Sequence, residues 1–358
     1  LSMIVRDASP YRAVMTHGFV VDQDTGKKVS KSDQTGENDK TKKKKKVKPT
    51  EADHFVAKFG ADILRLWVAS VDWENEVPFG EGLFKQTSET YRRIRNTLRI
   101  LLGNLSDFDQ AASGFDIDTL TLIDQWILER LSAVTRECLD GYEKFQFRKV
   151  YTALNSFCTN DLSSIYIDVT KDRMYCDPVN SSRRRATQFA MSKVFEGLCH
   201  LLAPILCFTA DEAWEHAGHH TGDIHACTFP EPDPLFSGTI ATDKINTLIT
   251  YRNIIQKAIE PLRQEKIIRA NEEASVQLSL PEGAESPFDI LGDEDAVKEF
   301  FIVSELDVSF GTETPVATAK KSNFGKCPRC WRLSPEVTSE DTLCHRCIEA
   351  IGSHPFSK

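Results

Sequence analysis

The sequence lacks any apolar run approaching the roughly 18 residues that a helix needs to cross a bilayer, which excludes a membrane-spanning helix and leaves no membrane partner to expect. It also lacks the charged-then-apolar opening of a secretory signal. Basic residues are not in excess: 44 Lys and Arg stand against 53 Asp and Glu, a net charge of −9. Wholesale coating of nucleic acid is therefore excluded, and any RNA contact has to come from local basic faces. Nor do the ten cysteines form the dense pattern of an exported disulfide scaffold. Cys138, Cys158, Cys176, Cys199, Cys207 and Cys227 stand singly in apolar or loop-like sequence and read as small buried hydrophobes. The other four form two close pairs, so the expectation is reduced thiols in the cytoplasm plus one metal site. The first residue is Leu1 rather than methionine, which raises the expectation of a fragment. Set against these absences are 358 residues, 41% hydrophobic and 27% charged, enough for two or three domains with a sizeable core.

The first stretch with legible chemistry is Gly26-Lys27-Lys28-Val29-Ser30-Lys31-Ser32. Glycine takes a positive φ at low cost, turn N–H groups can form an anion-binding concavity, and lysines are compact charges on flexible stems. Phosphate holding is one reading; an ordinary solvated basic loop is the other. Ala13-Val14-Met15 into Phe19-Val20-Val21 alternates as a strand leading into the loop. Beyond it Lys42 to Lys46 are consecutive, a like-charge block that cannot bury itself and reads as a disordered insertion over 37–49. A tether for an RNA backbone and a nuclear address are the sharper alternatives.

Order resumes after Pro49. Phe55, Phe59, Ile63, Leu66 and Trp67 recur at helical spacing and predict a helix–turn–helix connector over 50–80. From about Gly82 to Trp214 long amphipathic helices dominate. Tyr91, Ile94, Leu98, Leu101 and Leu105 line one face of the first, with Arg92, Arg95 and Arg99 on a neighbouring flank that either is simply solvated or tracks an RNA backbone. Further stripes run from Leu120 to Cys138, through Val150, Leu154, Phe157, Leu162 and Ile165, and from Phe189 to a break at Pro204. Thr209 to Glu212 has capping-box spacing for a short helix. This is a helical bundle. His216, His219, His220 and His225 cluster in a polar loop and read as solvent-exposed.

Three prolines make 229–240 a linker. Over 241–318 a helix from Ile245 to Leu262, the alternation Ser275 to Leu280 and the apolar Phe300 to Val303 suggest a small α/β unit. Thr312 to Ser322 reads as a second linker. In the last module, 319–358, Cys327-Pro328-Arg329-Cys330 and Cys344-His345-Arg346-Cys347 are two C-x-x-C pairs at the spacing of a four-thiolate zinc site. Four ligands leave no open position, so one structural Zn2+ per chain is expected, with unliganded cysteines and an iron–sulfur cluster as the alternatives; His345 lies between the paired cysteines and is not counted as a ligand. Trp331, Arg329, Arg332 and Arg346 either offer a stacking surface for an unpaired base or cover a very small core.

Lys28-Val29-Ser30-Lys31-Ser32 resembles the KMSKS signature of class I aminoacyl-tRNA synthetases. The run Arg6 to Tyr11 through Thr16 to Val20 is similar to the segment on the N-terminal side of that signature in isoleucyl-tRNA synthetases, and Gly60 to Ser70 to the segment on its C-terminal side. Tyr91 to Thr97, Lys171 to Tyr175 and Leu202 to Ile205 resemble the anticodon-binding domain, and Lys326-Cys327-Pro328-Arg329-Cys330-Trp331 the zinc module of the bacterial isoleucyl type. The resemblance implies a mainly α fold: the end of a Rossmann-like catalytic domain (1–36), the insertion and connector, an anticodon-binding bundle (81–228), a small α/β junction and the zinc module. It implies catalytic roles for Lys28, Ser30, Lys31 and Ser32, with Lys31 meeting ATP phosphates, and tRNA contacts from Arg92, Arg95, Arg99, Arg329, Trp331 and Arg332. For the full enzyme it implies ATP with Mg2+, isoleucine and its tRNA as substrates in a cytoplasmic monomer. Val29 departs from the signature, and Asp33-Gln34-Thr35-Gly36 replaces the Leu-Gly-Asn that commonly comes next. The HIGH signature, His-Ile-Gly-His, does not occur, so the expectation is binding of tRNA without independent activation of isoleucine. Two rivals are a non-catalytic, synthetase-derived tRNA-binding protein and a zinc-dependent DNA-binding regulator, the second disfavoured by the acidic charge.

Overall fold

The computed structural model describes residues 2–29, 52–109, 116–218 and 222–352. Ser30, Lys31, Ser32, the lysine block, His219 and His220 lie outside them. The short helix α1 (Ser2–Arg6) precedes β1 (Val20–Asp22), so of the strand expected from Ala13 to Val21 only Val20 and Val21 are in one, with Asp22 added. Strand β1 pairs in parallel with β2 (Val77–Phe79), Val20 opposite Val77. Gly18 is obligatory beside this pair, because a Cβ there would lie 1.8 Å from the Asn75 carbonyl oxygen. Between the strands, α2 (Ala52–Phe59) and α3 (Ala61–Ser70) form the expected connector, turning at Gly60 with φ 93°. Phe55, Ile63, Trp67, Val77 and Phe84 close a small aromatic core there.

The bundle matches the predicted stripes. Helix α4 (Glu81–Leu105) buries Ile94, Leu98, Leu101 and Leu105. Helix α5 (Leu122–Glu143) begins at a capping box in which Thr121 and Asp124 satisfy each other's backbone N–H groups. Helix α6 (Phe147–Ser156) runs on through a π-helical stretch, Phe157–Tyr166, into α7 (Ile167–Cys176). The wider turn frees carbonyls that side chains collect, Ser163 Oγ donating to Cys158 O and Ser164 Oγ to Thr159 O, both at 2.8 Å. Helix α8 (Ser182–Leu202) is buried along most of its length, and α9 (Cys207–Ala217) comes after the break at Pro204. No described helix is long and apolar enough to cross a membrane.

Helix α9 starts two residues before the expected capping box, and its cap comes from elsewhere. The buried Asp62 carboxylate of α3 accepts from Thr209 N at 2.8 Å and Thr209 Oγ1 at 2.6 Å. In the same way Glu129 of α5 accepts from Thr242 N and Thr242 Oγ1, at 2.8 and 2.7 Å, and caps α10 (Ile240–Gln264).

Beyond α10 the junction unit is β3 (Ala274–Leu280), α11 (Pro287–Leu291), α12 (Glu294–Phe301), β4 (Glu305–Phe310) and β5 (Val316–Lys321). Its sheet order is β4-β3-β5, parallel on one side of β3 and antiparallel on the other. Phe300 and Phe301 close α12, each at 1% exposure. One expectation is corrected here. The Thr312 to Ser322 stretch is not a linker: β5 is an edge strand paired with β3, its polar outward residues having disguised it. It also crosses the expected boundary at 318/319. A hairpin of β6 (Gly325–Lys326) and β7 (Leu333–Ser334) and helix α13 (His345–Gly352) make the last module.

Candidate metal centre and nucleic-acid interface

The two C-x-x-C turns bring Cys327, Cys330, Cys344 and Cys347 together, with their sulfur atoms all within 4.8 Å of one another. Cys330 Sγ and Cys344 Sγ are 3.7 Å apart. A disulfide would require about 2.05 Å, whereas two ligands at about 2.3 Å from one tetrahedral zinc lie about 3.8 Å apart. The donor set and its spacing fit zinc. Cys327, Val337, Cys344 and Cys347 are the buried residues of the module's own core, so an ion here would do the work that apolar side chains do elsewhere. Burial pushes the Cys330 and Cys344 thiols up; at Cys327 it is outweighed by N–H groups of Cys330, Cys344 and Arg329, which hold that thiol down at about 6. His345 is exposed, beside Glu349, and takes no part.

The arginines around this centre do not face solvent together. Arg346 grips Asp172 of α7 with both arms, at 2.5 and 2.9 Å, and Arg332 reaches the same carboxylate at 2.9 Å. Arg329 Nη1 donates to the Cys176 carbonyl at 2.7 Å and to Cys347 Sγ at 3.3 Å. Arg329 and Arg332, expected as RNA-facing, thus hold the module against the bundle. Trp331 is the residue that remains outside, 67% exposed, at φ 66°. Such a backbone conformation is a strained one for a bulky residue, and Lys326 Nζ lies 5.9 Å from the ring centroid.

A buried charge network lies behind the clamp. Arg173, next in sequence to Asp172, donates to Glu299 Oε2 at 2.6 Å and Oε1 at 3.0 Å, and to Asp124 at 3.4 Å. Both side chains of the Arg173–Glu299 pair are almost wholly buried. Sequence inspection gave Asp172 and Arg173 no role beyond their place in the Lys171 to Tyr175 resemblance and did not single out Glu299, since their types and spacing are those of an ordinary helix surface.

On α4, Arg92, Arg95 and Arg99 share an exposed face. Arg92 pairs with Glu89 at 2.6 Å and Arg95 with Glu212 of α9 at 3.4 Å, both in solvent. Arg99 has no ion-pair partner among the described residues. Arg95 and Arg99 border a groove of about 220 Å³ floored by Leu98, Leu102 and Ala213. Of the lysine loop, residues to Val29 are described. Asp22 Oδ1 accepts from Thr25 N at 2.9 Å, Gly26 turns at φ 65°, and Val29 N returns to Val20 O at 2.9 Å. Lys28 lies over the Phe19 ring at 3.8 Å. His216 and His225 are exposed, as expected. Of the six single cysteines, Cys138, Cys158 and Cys199 are buried, with thiols pushed up to about 12 by burial, but Cys227 is exposed, against expectation.

The lysine loop and connector at one end and the helical bundle beyond them are both matched by family descriptions of tRNA ligases. The family description "tRNA synthetases class I (I, L, M and V)" matches residues 1–80, and "Anticodon-binding domain of tRNA ligase" matches residues 124–278. An isoleucine–tRNA ligase of Prochlorococcus marinus (strain MIT 9301) is 37% identical over 384 residues, covering 98% of this chain and 38% of the relative. One from Methylacidiphilum infernorum (isolate V4) is 36% identical over 100% of this chain and 37% of the relative. One from Desulfitobacterium hafniense (strain Y51) is 38% identical over 96% and 37%. A solved leucyl-tRNA synthetase–tRNA complex from Agrobacterium radiobacter K84 overlaps only loosely, at TM-score 0.47 and 15% identity over 75% of this chain and 26% of that one, too loose to bear on the fold. The chain thus carries the end of a class I tRNA synthetase domain and an anticodon-binding domain of tRNA ligases, and it spans about two-fifths of the length of the curated isoleucine–tRNA ligases it matches.

Proposed function

We propose that this chain is the tRNA-binding portion of an isoleucine–tRNA ligase, the enzyme that joins isoleucine to its tRNA through an adenylate at the expense of ATP with Mg2+. The observation that carries the reading is that a third or more of residues match isoleucine–tRNA ligases from one end of the chain to the other, four-cysteine module included. The lysine loop is the chain's contribution to ATP chemistry: Lys28 and Lys31, with Ser30 and Ser32, place charge and hydroxyl donors at the transferring phosphates. The tRNA is held by the α4 face and by the zinc module. Arg92 and Arg95 sit in solvent-exposed pairs of the kind that contribute little, so their guanidinium groups can exchange Glu89 and Glu212 for RNA phosphates, and Arg99 is already available. Trp331 with Lys326 beside it offers an aromatic face and a cation to an unpaired base of the anticodon end. Zinc, when bound, supplies cross-linking of the two cysteine turns and no chemistry. The full enzyme acts as a cytoplasmic monomer.

The test is binding of the 358-residue chain to isoleucine and valine tRNAs across a salt series. We expect selective binding of the isoleucine tRNA, weakened several-fold by Trp331→Ala, and a salt slope reduced by about one for Arg99→Ala. ATP–pyrophosphate exchange by the chain alone is expected to be undetectable. Equal, weak binding of both tRNAs would overturn the reading.

A further inference from the structure

We propose that Asp172 couples metal occupancy of the four-cysteine module to the docking of that module on the helical bundle, so that each strengthens the other. Asp172 receives one arginine from each cysteine turn. Arg332 stands two residues after Cys330, and Arg346 immediately before Cys347. The two turns are separated in sequence by residues 331–343, and the buried core that joins them is one valine and three of the cysteines themselves. An ion bound to all four sulfurs fixes one turn relative to the other and thereby delivers both guanidinium groups to a single carboxylate. With the ion gone, the turns lose their common anchor and the two arginines cannot both be held in place for Asp172 without a further entropy cost.

A second link runs alongside. One Arg329 nitrogen bridges Cys347 Sγ and the Cys176 carbonyl at the end of α7, so the charge on a metal ligand and the docking hydrogen bond share a donor. Outer contacts of this kind hold a ligand's orientation. Because the coupling is thermodynamic it is reciprocal: docking that is favoured by metal must favour metal in return. Asp172 touches neither the sulfurs nor the exposed Trp331 and α4 arginines; it is a positioning residue. The inference rests on the docking geometry and needs no tRNA, so it stands or falls separately from the proposed function.

The experiment uses the whole chain, with zinc affinity measured by competition against a chromophoric chelator and hydrogen exchange monitored at residues 172–177 and 344–352. Stripping zinc from the wild type should accelerate exchange in both segments. Asp172→Asn should still bind one zinc, about tenfold more weakly, within the range usual for coupled sites, and should exchange rapidly at 172–177 even when loaded. Arg346→Gln should behave likewise, and the double variant should bind zinc no more weakly than either single variant. The two variants also guard against a folding defect in one of them. Asp172→Asn binding zinc as tightly as the wild type, strictly additive losses in the double variant, or unchanged exchange at 172–177 after stripping would each overturn the coupling.

Discussion

Charge in this protein divides by whether it is buried. At Arg173 and Glu299 burial disfavours ionisation of both, and their contact reverses it, leaving the Glu299 carboxyl below the usual carboxylate range because of the facing guanidinium. A buried pair broken on one side leaves an uncompensated charge, so Arg173→Met should cost about 3–5 kcal/mol in urea denaturation. Since the folded-state pKa of Glu299 is depressed, its contribution is present above the unfolded value of about 4.3 and is lost as pH falls below it. The stability gap between the wild type and Glu299→Gln should therefore be widest near neutrality and close on acidification below about pH 4. A gap that stays constant down to about pH 3 would show that the carboxylate charge is not what holds Arg173. The thiols divide in the same way. In the metal-loaded protein Cys227 should react first with a soluble disulfide reagent, while Cys138, Cys158 and Cys199, with thiols pushed up to about 12, should react only on unfolding.

Helix stripes were legible because a 3.6-residue period needs no knowledge of the partner. Helix starts were not. Helices α9 and α10 are capped by Asp62 and Glu129, carboxylates supplied by other helices, and no local capping rule can find them. Asp62→Ala removes the acceptor for two buried donors on Thr209 at once, so the loss should reach or exceed the upper end of the usual range of about 0.5–2 kcal/mol for a cap, read as a shift in denaturation midpoint. A loss within about 0.5 kcal/mol would mean that water replaces the carboxylate. Strand β5 was missed for a related reason: an edge strand with one face in solvent keeps polar residues that make it resemble a linker.

In the molecule as a whole, the bundle, the junction unit and the four-cysteine module converge on α7. Asp168 holds Arg252 of α10, Asp172 holds the module, and Arg173 holds α12 through Glu299. If zinc occupies the four-cysteine site, as the donor set allows, its removal should be felt beyond the module. Chelation should loosen the end of α7 as well as the module and, if the proposed function holds, weaken isoleucine tRNA binding while leaving the α4 face folded.

The sequence by itself determined the amphipathic helices, the pairing of the four clustered cysteines, the glycine–lysine loop and the family resemblance, because periodicity, cysteine spacing and extended similarity are all properties of residues near one another along the chain. Tertiary structure alone decided which arginines are free. Arg329, Arg332 and Arg346 look in the sequence like an open basic surface beside Trp331, and Arg173 like one more helical arginine. Their partners Asp172, Cys176 and Glu299 lie 126 to 174 positions away, and a charge turns inward or outward according to whether a carboxylate or carbonyl at that distance meets it. That pairing is a matter of packing, which no local pattern encodes.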